Sequence, residues 1–588
     1  MNFCLDKLPE GVPAKYGFVG EEGRRAVLPD GAVVWTFPEF HGMILEAAES
    51  GETDEFVWPW RHVRVIEISM MDQTDRHNDL LAERERLLWA REAAYTLTCP
   101  AVAVEDALTG EGRVFLRLAP LPHARRKVER EEKIACSGIE GEVASPEGCN
   151  LPLYATCDFE INASEGKVKV FRTGYALATA EYRGGRIGRI RALHAIQRRI
   201  RRYEPGRDGL FLSNTWGDRS RDARINEAFL RKEIDAGAAL GVDAVQIDDG
   251  WQTGRTANAA AVAAGQGTGA WNGYWAFHPQ FWEPDPVRFP NGLEPVVSAA
   301  REKGLQFGLW FGPDSSHEAE NWERDADRLL ELHREAGIHY IKIDSLKTHS
   351  ALALRRQRML FDKVLRESEG RIVIDLDVTA EIRPGYFGLP DVGTIFVENR
   401  YTDWHNHWPH LTLRSLWTLA QAVDPVRLRM EVLNPLRNRE QYEGDPLAPA
   451  AYRADTLFAM VMAGSPLGWF ETSNLAPETV AAIRPLVDVW KQERTRFHGG
   501  DIVPVGGAPD GLAWTGFVSI DADGQGGSAL LFRELNPASG YGLCLGGLLE
   551  SATKASVLAG RGSATLDSGM LCVNVPETLD YVWVRLEV

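Results

Sequence analysis

The sequence is poor in cysteine, and its cysteines are not arranged in a recognisable framework. Seven cysteines are spread over 588 residues, and no two of them form a Cys-x-x-Cys motif. Disulfide scaffolds and zinc knuckles use an even number of closely spaced cysteines. We therefore expect neither, and a reducing cytoplasm is the expected location.

Long hydrophobic runs and an excess of positive charge are also missing. No apolar stretch approaches the length of a membrane span, and the first residues, MNFCLDKLPEG, lack the basic and apolar regions of a signal peptide. With 65 Lys and Arg against 83 Asp and Glu, the formal net charge is −18, whereas nucleic-acid binding requires a basic face. We expect no nucleic-acid partner and no membrane partner.

The chain is too long for one ordinary core, and its pattern divides it into four parts. Residues 1–185 contain short β-like runs such as RVFLRLAP, which predict an N-terminal β-sandwich. Residues 186–207 form a basic stretch ended by a Pro-Gly pair, which we interpret as a linker helix rather than a membrane-surface helix. Residues 208–495 alternate strands and helices, and residues 496–588 return to β runs that predict a small C-terminal antiparallel β-domain.

Eight runs in the third part have the apolar character of buried parallel strands. They are residues 210–216, 244–251, 305–314, 340–345, 371–379, 393–400, 427–434 and 464–471. Eight parallel strands joined by crossover helices are typical of a closed (β/α)8, or TIM, barrel. The predicted fold class is therefore multidomain α/β, with a central (β/α)8 barrel flanked by the β-sandwich and the C-terminal β-domain.

A long segment rich in Ala and Gly, residues 254–276, follows the second predicted strand. A loop of this length either covers a site or is disordered. On this face of a barrel we interpret it as an active-site cover that contains Trp271, Tyr274 and Trp275.

Acidic and aromatic residues crowd the carboxyl ends of the predicted strands, where the active sites of such barrels lie. A single carboxylate there is as easily a helix cap or a salt-bridge partner. Acids at nearly every strand end, interleaved with tryptophans, suit a sugar ring, which has hydroxyls on its rim and an apolar face. In chain order these residues are Asn214, Trp216, Asp248, Asp249, Trp251, Trp310, Asp314, Lys342, Asp344, Asp375, Asp377, Glu398, Arg400, Asp403, Glu431, Asn434, Trp469 and Glu471.

The fourth predicted strand, YIKIDS, carries a cation and an anion on one face. Strand side chains alternate, so Lys342 and Asp344 point the same way. Retaining glycosidases need a carboxylate nucleophile and a carboxyl acid/base, and a nearby cation lowers the pKa of a carboxyl group. Lys342 is placed to keep Asp344 ionised and to donate to a sugar hydroxyl; the alternative is a buried ion pair that fills the barrel.

Four motifs within residues 208–347 resemble the α-galactosidases of glycoside hydrolase family 36, whose clan also holds families 27 and 31. They read FLSNTW, AVQIDDGW, RFPNGLEPVVSAAREKGLQFGLWF and YIKIDSLK. The family combines a β-sandwich, a (β/α)8 barrel and a C-terminal β-domain. The resemblance implies retaining hydrolysis of an oligosaccharide or glycoside substrate, without metal or organic cofactor, and is compatible with a homo-oligomer.

The same resemblance implies roles for individual residues. Asp344 would be the nucleophile and Lys342 a substrate ligand. Sugar hydroxyls would bind to Asp248 and Asp249, and three tryptophans would form the pocket walls: Trp216, Trp251 and Trp310.

The acid/base is expected after the sixth strand, in IFVENRYTDWHNHW. Related family 27 enzymes place an arginine shortly before the acid, so Arg400 followed by Asp403 is the preferred match, with Arg400 as a substrate ligand. Glu398 is the alternative, and the sequence does not decide between the two carboxyl groups.

Three departures from the family pattern predict a divergent α-glycosidase. Gly312 stands where the family usually has glutamate, and Leu346 where it usually has asparagine. The glycine-rich stretch after the fifth strand is replaced by DVTAEIRPGYFGLPD. In the family this stretch shapes recognition of the ring substituents, so the sugar preference is expected to differ.

Three other functions remain open. A raffinose-synthase-like transglycosidase would use the same carboxylates with a sugar as acceptor. A metal-dependent barrel hydrolase is suggested by His405 and His407 together with Asp403 and His410, although such barrels generally place a metal-binding pair at the first strand. A non-catalytic sugar-binding protein would be expected to lack Asp344 or its partner carboxylate, and both are present.

Overall fold

The computed structural model describes most of the chain. The described residues are 12–13, 24–27, 33–37, 42–45, 53–71, 79–88, 94–122, 158–171, 175–218, 220–348, 350–377, 383–397 and 407–588. Among the helices in these ranges, none has the length and apolar composition that crossing a bilayer requires.

Two antiparallel sheets form the N-terminal part of the chain. Their strands are β1 (Val12–Pro13), β2 (Arg24–Val27), β3 (Val33–Phe37), β4 (Gly42–Leu45), β5 (Thr53–Val57), β6 (Val63–Met70), β7 (Leu81–Leu88), β8 (Tyr95–Leu97), β9 (Ala101–Asp106), β10 (Gly112–Leu118), β11 (Phe159–Asn162), β12 (Lys167–Phe171) and β13 (Ala176–Tyr182). One sheet has the order β1-β2-β3-β4-β13-β10-β9-β6-β7, and the other has the order β5-β12-β11-β8. Apolar side chains including Phe56, Phe115 and Phe159 form one core cluster between the sheets, as in a β-sandwich.

The basic stretch after the sandwich forms helix α1 (Gly185–Ile200). Its apolar face packs into the core, while polar side chains reach the barrel. Gln197 donates to Ala422 O over 2.7 Å, and Arg198 pairs with Asp424 over 2.6 Å.

Helix α1 ends at Ile200, earlier than the Pro-Gly pair at residues 205–206 predicts. Asp208 accepts hydrogen bonds from the Arg201 and Arg207 side chains and from the Glu204 backbone. These bonds fold residues 201–208 into a turn, so the helix stops before the proline.

The eight predicted barrel strands are confirmed. They are β14 (Leu212–Asn214), β15 (Ala244–Ile247), β16 (Gln306–Phe311), β17 (Tyr340–Ile343), β18 (Val373–Asp377), β19 (Thr394–Val397), β20 (Leu428–Val432) and β21 (Ser465–Trp469). They pair in parallel in chain order, and β21 closes the barrel on β14. Helices in and after the barrel are α2 (Glu227–Leu240), α3 (Ala260–Ala263), α4 (Tyr274–Phe277), α5 (Glu294–Glu302), α6 (Trp322–Ala336), α7 (Ala351–Glu367), α8 (Pro409–Leu419), α9 (Ala454–Ala459) and α10 (Pro477–Gly499).

Strand β17 shows the alternation expected from its sequence. Tyr340 belongs to a cluster inside the barrel, whereas Ile341 and Ile343 pack in the larger core that includes helix residues. Lys342 follows Tyr340 on the inner face and lies in register with Trp310 of β16 and Asp375 of β18. The face that carries Lys342 is therefore the interior of the barrel.

A buried ion pair lies inside the barrel near Tyr340. Arg429 and Asp375 are 2.7 Å apart, and each side chain is 2% exposed. Arg429 also donates to the Tyr340 hydroxyl over 2.9 Å, and Thr394 donates to Asp375. Since desolvated charges need partners on all sides, these contacts explain why the pair is tolerated in the barrel interior.

The C-terminal part is antiparallel, as predicted. Its strands are β22 (Asp501–Gly506), β23 (Trp514–Ile520), β24 (Gly526–Arg533), β25 (Gly540–Cys544), β26 (Lys554–Gly560), β27 (Ser563–Asp567), β28 (Met570–Asn574) and β29 (Asp580–Glu587). They form a five-stranded sheet, β22-β23-β24-β29-β26, and a three-stranded sheet, β25-β28-β27. Apolar residues of both sheets share one core cluster.

Candidate active site

Asp344 lies directly after β17, where the strand leaves the barrel. Its backbone N–H still donates to Phe311 O over 3.0 Å. Ser345 then adopts a left-handed backbone with φ of 56°, and its N–H turns back to Asp344 Oδ1 over 2.5 Å. The Asp344 side chain is 18% exposed, so it is largely desolvated but not sealed.

Two side chains from other elements also bind the Asp344 carboxylate. Trp310, at the end of β16, donates from Nε1 to Oδ2 over 3.1 Å. Arg383, in the connection after β18, donates from Nη2 to Oδ1 over 3.1 Å. Burial alone would raise the pKa of Asp344, but Arg383 and, to a smaller extent, Lys342 outweigh burial and hold that pKa well below its usual value. The carboxylate is therefore held ionised.

Lys342 makes its ion pair with Asp248 rather than with Asp344. Lys342 Nζ is 2.9 Å from Asp248 Oδ2, and both side chains are almost fully buried. Asn214 donates to the same oxygen over 2.9 Å. The ends of β14, β15 and β17 are thus joined by one polar network next to Asp344.

The Asp249 carboxyl group accepts hydrogen bonds from the loop that follows β15. Gln252 donates to Oδ1 over 2.6 Å, and Thr256 donates to Oδ2. Burial, only partly offset by these two bonds, raises the pKa of Asp249 to about 7. Both oxygens are engaged within the protein, so a role of Asp249 in binding sugar hydroxyls stays a prediction.

The three tryptophans expected as pocket walls are buried. Trp216, Trp251 and Trp310 are 8%, 0% and 1% exposed. Trp251 donates from Nε1 to Trp310 O over 2.7 Å, so it supports the strand that carries Trp310. Of the three, Trp310 is the one that contacts the Asp344 carboxylate directly.

The segment 254–276 packs against the ends of the second and third barrel strands. Thr256 reaches Asp249, and Gly273 N donates to Asp314 over 3.0 Å. Tyr274 is fully buried, and a Cβ added at Gly312 would lie 3.0 Å from its hydroxyl. The missing side chain at Gly312 therefore leaves the space that Tyr274 occupies, whereas Trp271 is 37% exposed.

Other carboxylates at the strand ends have structural partners. Asp314 accepts from the backbone and side chain of Ser316 and from Asn321. Glu471 accepts from Ser220, Arg224 and Asn474. Asp314, Glu471 and Asp375 therefore have structural roles: each forms hydrogen bonds or a salt bridge within the protein.

The expected acid/base and its arginine lie outside the described residues. This concerns Arg400 and Asp403, as well as the alternative Glu398. Of the histidines behind the metal hypothesis, His405 is also outside, while burial lowers the pKa of His407 to about 3 and of His410 to about 4. Within the described part of the chain, no three His, Cys, Asp or Glu side chains are grouped as metal ligands.

Arg383 is the site residue that sequence reasoning missed. It is 9% exposed, and its Nη1 has no hydrogen-bond partner among the described residues. It belongs to DVTAEIRPGYFGLPD, the stretch noted only as a departure from the family. Strand periodicity cannot place a side chain in a connection; the remaining signal was a lone arginine soon after a barrel strand.

Sequence comparison finds short matches to α-galactosidases. The chain is 32% identical over 89 residues to an α-galactosidase of Escherichia coli, which is 15% of this chain and 10% of that protein. It is 30% identical over 109 residues to α-galactosidase Mel36A of Lactobacillus acidophilus, or 18% and 13% of the two chains. The matched stretches thus span only a small part of these relatives, and no protein-family model matches the sequence.

Structure comparison extends the similarity over nearly the whole chain. The α-galactosidase from Lactobacillus brevis superposes with a TM-score of 0.63 at 12% identity, covering 99% of this chain and 84% of that one. A family 36 α-galactosidase of Geobacillus stearothermophilus, solved in complex with stachyose, gives 0.63 at 14% identity, covering 99% and 86%. At such identities the likeness establishes the fold. The chain is therefore similar to glycoside hydrolase family 36 α-galactosidases in fold over nearly its whole length, and similar to α-galactosidases in sequence over short stretches.

Proposed function

We propose that the protein is a retaining α-glycoside hydrolase of the α-galactosidase type, with Asp344 as its nucleophile. The observation that carries this proposal is the environment of Asp344, a partly exposed carboxylate at the carboxyl end of a barrel strand. Arg383 and Lys342 keep it ionised, and Trp310 and Ser345 fix its orientation. A carboxylate that is both charged and immobilised is what nucleophilic attack on an anomeric carbon requires.

In the first step Asp344 attacks the anomeric carbon of the bound sugar. A bond forms between a carboxylate oxygen and that carbon, the glycosidic C–O bond breaks, and the leaving oxygen takes a proton from the acid/base. Among the described residues, Oδ1 is held by two donors, Ser345 and Arg383, whereas Oδ2 is held by one, Trp310. Oδ2 is therefore the better nucleophile.

In the second step water replaces the leaving group. The acid/base, now a carboxylate, removes a proton from water, whose oxygen attacks the anomeric carbon while the ester bond to Asp344 breaks. Two inversions return the original anomeric configuration. We assign the acid/base to Asp403, with Glu398 as the alternative and Arg400 as a substrate ligand, on the family resemblance.

Substrate hydroxyls would be bound by the polar network around Lys342. The ammonium group carries three donors, and it lies 4.7 Å from the centre of the Trp469 ring. Arg383 adds the Nη1 donor without a described partner. These groups suit a neutral polyol, and we propose that an oligosaccharide or a simple α-glycoside is the substrate.

A screen of nitrophenyl α-glycosides tests the proposal. The wild-type protein should release nitrophenol from an α-galactoside or a close stereoisomer, and NMR should show the α-anomer of the free sugar first. Asp344→Asn should remain folded and lose several orders of magnitude in turnover. No turnover of any α-glycoside, or first release of the β-anomer, would contradict the proposal.

The same reaction mixture separates hydrolysis from transfer. A transglycosidase would use the same glycosyl-enzyme with a sugar hydroxyl in place of water. Adding sucrose and analysing the products by chromatography distinguishes free monosaccharide from a new oligosaccharide, and we expect the monosaccharide to dominate.

A further inference from the structure

A large cleft lies between the β-sandwich, helix α1 and the start of the C-terminal β-domain. Its volume is about 890 Å³, and none of the described residues that line it belongs to the barrel. The turn between β5 and β6, the strands β10 and β13, helix α1 and Asp501 at the start of β22 all contribute to its walls. A cavity of this size is in the range of small-molecule and oligosaccharide sites.

One side of this interdomain cleft is aromatic. Phe56 and Phe115 form a buried edge-to-face pair with centroids 5.0 Å apart. Trp58 and Trp60 lie beside them, each only partly buried. The backbone of Trp58 is fixed by a 2.8 Å hydrogen bond from its N–H to Gly166 O. Partly exposed indole rings on a fixed turn offer flat apolar surfaces to a ligand.

The charged residues of the cleft balance one another. Three arginines line it, and each pairs with a lining carboxylate: Arg113 with Glu181, Arg183 with Glu111 over 3.2 Å, and Arg191 with Asp501 over 2.9 Å. Among the described lining residues, three positive and three negative groups leave no net charge, so neither an anion nor a cation is favoured. The pairs still offer hydrogen-bond donors and acceptors to a neutral ligand.

We propose that the interdomain cleft is a second, non-catalytic binding site for a neutral oligosaccharide. Pyranose rings stack on Trp58 and Trp60, and their hydroxyls hydrogen-bond to the arginine–carboxylate pairs that line the same cleft. Flat aromatic faces, balanced charge and the volume of the cleft define the ligand as a neutral, polyhydroxylated molecule. The choice of an oligosaccharide rather than another such molecule rests on the proposed function of the barrel.

Titration of stachyose into the full-length Asp344→Asn protein tests this site without turnover. We expect two binding events, one in the barrel and one in the cleft. Adding Trp58→Ala and Trp60→Ala should weaken one event by about tenfold or more, as expected when stacking aromatic rings are truncated, and leave the other unchanged. Trp58→Phe with Trp60→Phe should retain most of the binding, because it retains the aromatic rings.

Turnover provides the matched control. In the otherwise wild-type protein, the two alanine substitutions should leave hydrolysis of a nitrophenyl α-glycoside unchanged, since the cleft lies outside the barrel. A single binding event that is insensitive to both tryptophans would overturn the cleft proposal, even with an active barrel. An inactive barrel with tryptophan-dependent stachyose binding would instead overturn the proposed function and support the cleft. If the double alanine variant does not fold, Trp60→Ala alone serves in the same titration.

Discussion

The Asp344 carboxylate is held by donors from three separate parts of the barrel. Trp310 comes from the third strand, Ser345 from the turn after the fourth, and Arg383 from the connection after the fifth. Lys342 lies on the same strand as Asp344 but is 2.9 Å from Asp248, so it acts on Asp344 through space. Arg383 is therefore the more effective of the two cations in lowering the pKa of Asp344.

Removing Arg383 should shift the pH dependence of activity. In Arg383→Met the pKa of Asp344 rises, because burial is no longer outweighed by the adjacent guanidinium. The nucleophile must be ionised, so the acidic limb of the kcat/KM profile should move to higher pH. Lys342→Met should move this limb in the same direction by less.

Measuring kcat/KM against pH for the wild type and both variants, with one aryl glycoside as substrate, shows which variant shifts the acidic limb more. An unchanged limb in Arg383→Met, with only an altered KM, would show that the arginine binds substrate without holding the charge of Asp344. A larger shift in Lys342→Met would reverse the order of the two cations.

For individual residues, the sequence predicts the positions of site residues on strands but not of those in the connections between strands and helices. Lys342 and Asp344 share a face because strand geometry alternates. Asp248 was expected near them, but its pairing with Lys342 depends on how two strands are aligned. Arg383 and the Thr256 bond to Asp249 come from loops, whose paths depend on tertiary packing.

The segment 254–276 is attached to the barrel through buried acidic side chains. Trp275 donates from Nε1 to Asp325 Oδ1 over 2.8 Å, and Asp314 N donates to Oδ2 of the same residue over 2.8 Å. Burial raises the pKa of Asp325 to about 8. Asp325, in helix α6, therefore connects the segment to the end of β16. Each of its two oxygens accepts one of these hydrogen bonds.

Removing the Trp275 donor should loosen this attachment. Trp275→Phe keeps an aromatic ring but leaves one Asp325 oxygen without its partner, which costs about 1–3 kcal/mol. We expect a lower Tm and faster proteolysis within residues 254–276. Trp271→Phe in the same segment is the control, since Trp271 is partly exposed, and its Tm should stay near that of the wild type. Equal behaviour of the two variants would argue against the attachment.

Elements were predictable where burial imposes a pattern. All eight barrel strands were found because parallel strands buried on both faces appear as apolar runs. The end of helix α1 was not predicted correctly. Asp208 accepts hydrogen bonds from three residues in the turn after the helix, and residue propensities do not encode such a turn. The segment 254–276 was recognised as unusual, but its packing against Asp249, Asp314 and Asp325 had no sequence signal.

On the scale of the whole molecule, helix α1 connects the sandwich to the barrel. Its Arg198 pairs with Asp424, and these side chains are 17% and 5% exposed. Arg198 overcomes the effect of burial and lowers the pKa of Asp424. A depressed carboxyl pKa contributes stability above the unfolded value near 4, and this contribution is lost as the pH falls through the folded value.

Breaking this pair should destabilise the protein in a pH-dependent way. Arg198→Met leaves Asp424 buried without its cation, at a cost of about 3–5 kcal/mol. The Tm difference from wild type should be large at pH 7 and shrink as the pH falls towards about 4, where protonation of Asp424 removes the uncompensated charge. Arg231→Met is the control, because its pair with Glu227 lies on the helix surface, with Arg231 48% exposed, and such pairs contribute about 0.3–0.5 kcal/mol. A Tm difference independent of pH would indicate lost packing rather than a lost ion pair.

Mass spectrometry of a trapped glycosyl-enzyme tests the central claim most directly. A fluorinated α-glycosyl fluoride that forms the intermediate but hydrolyses slowly should add one sugar to the protein. Digestion should then place the label on Asp344, within YIKIDSLK, and Asp344→Asn should not be labelled. A label on another carboxylate, or turnover with no covalent intermediate, would contradict the assignment of Asp344 as the nucleophile.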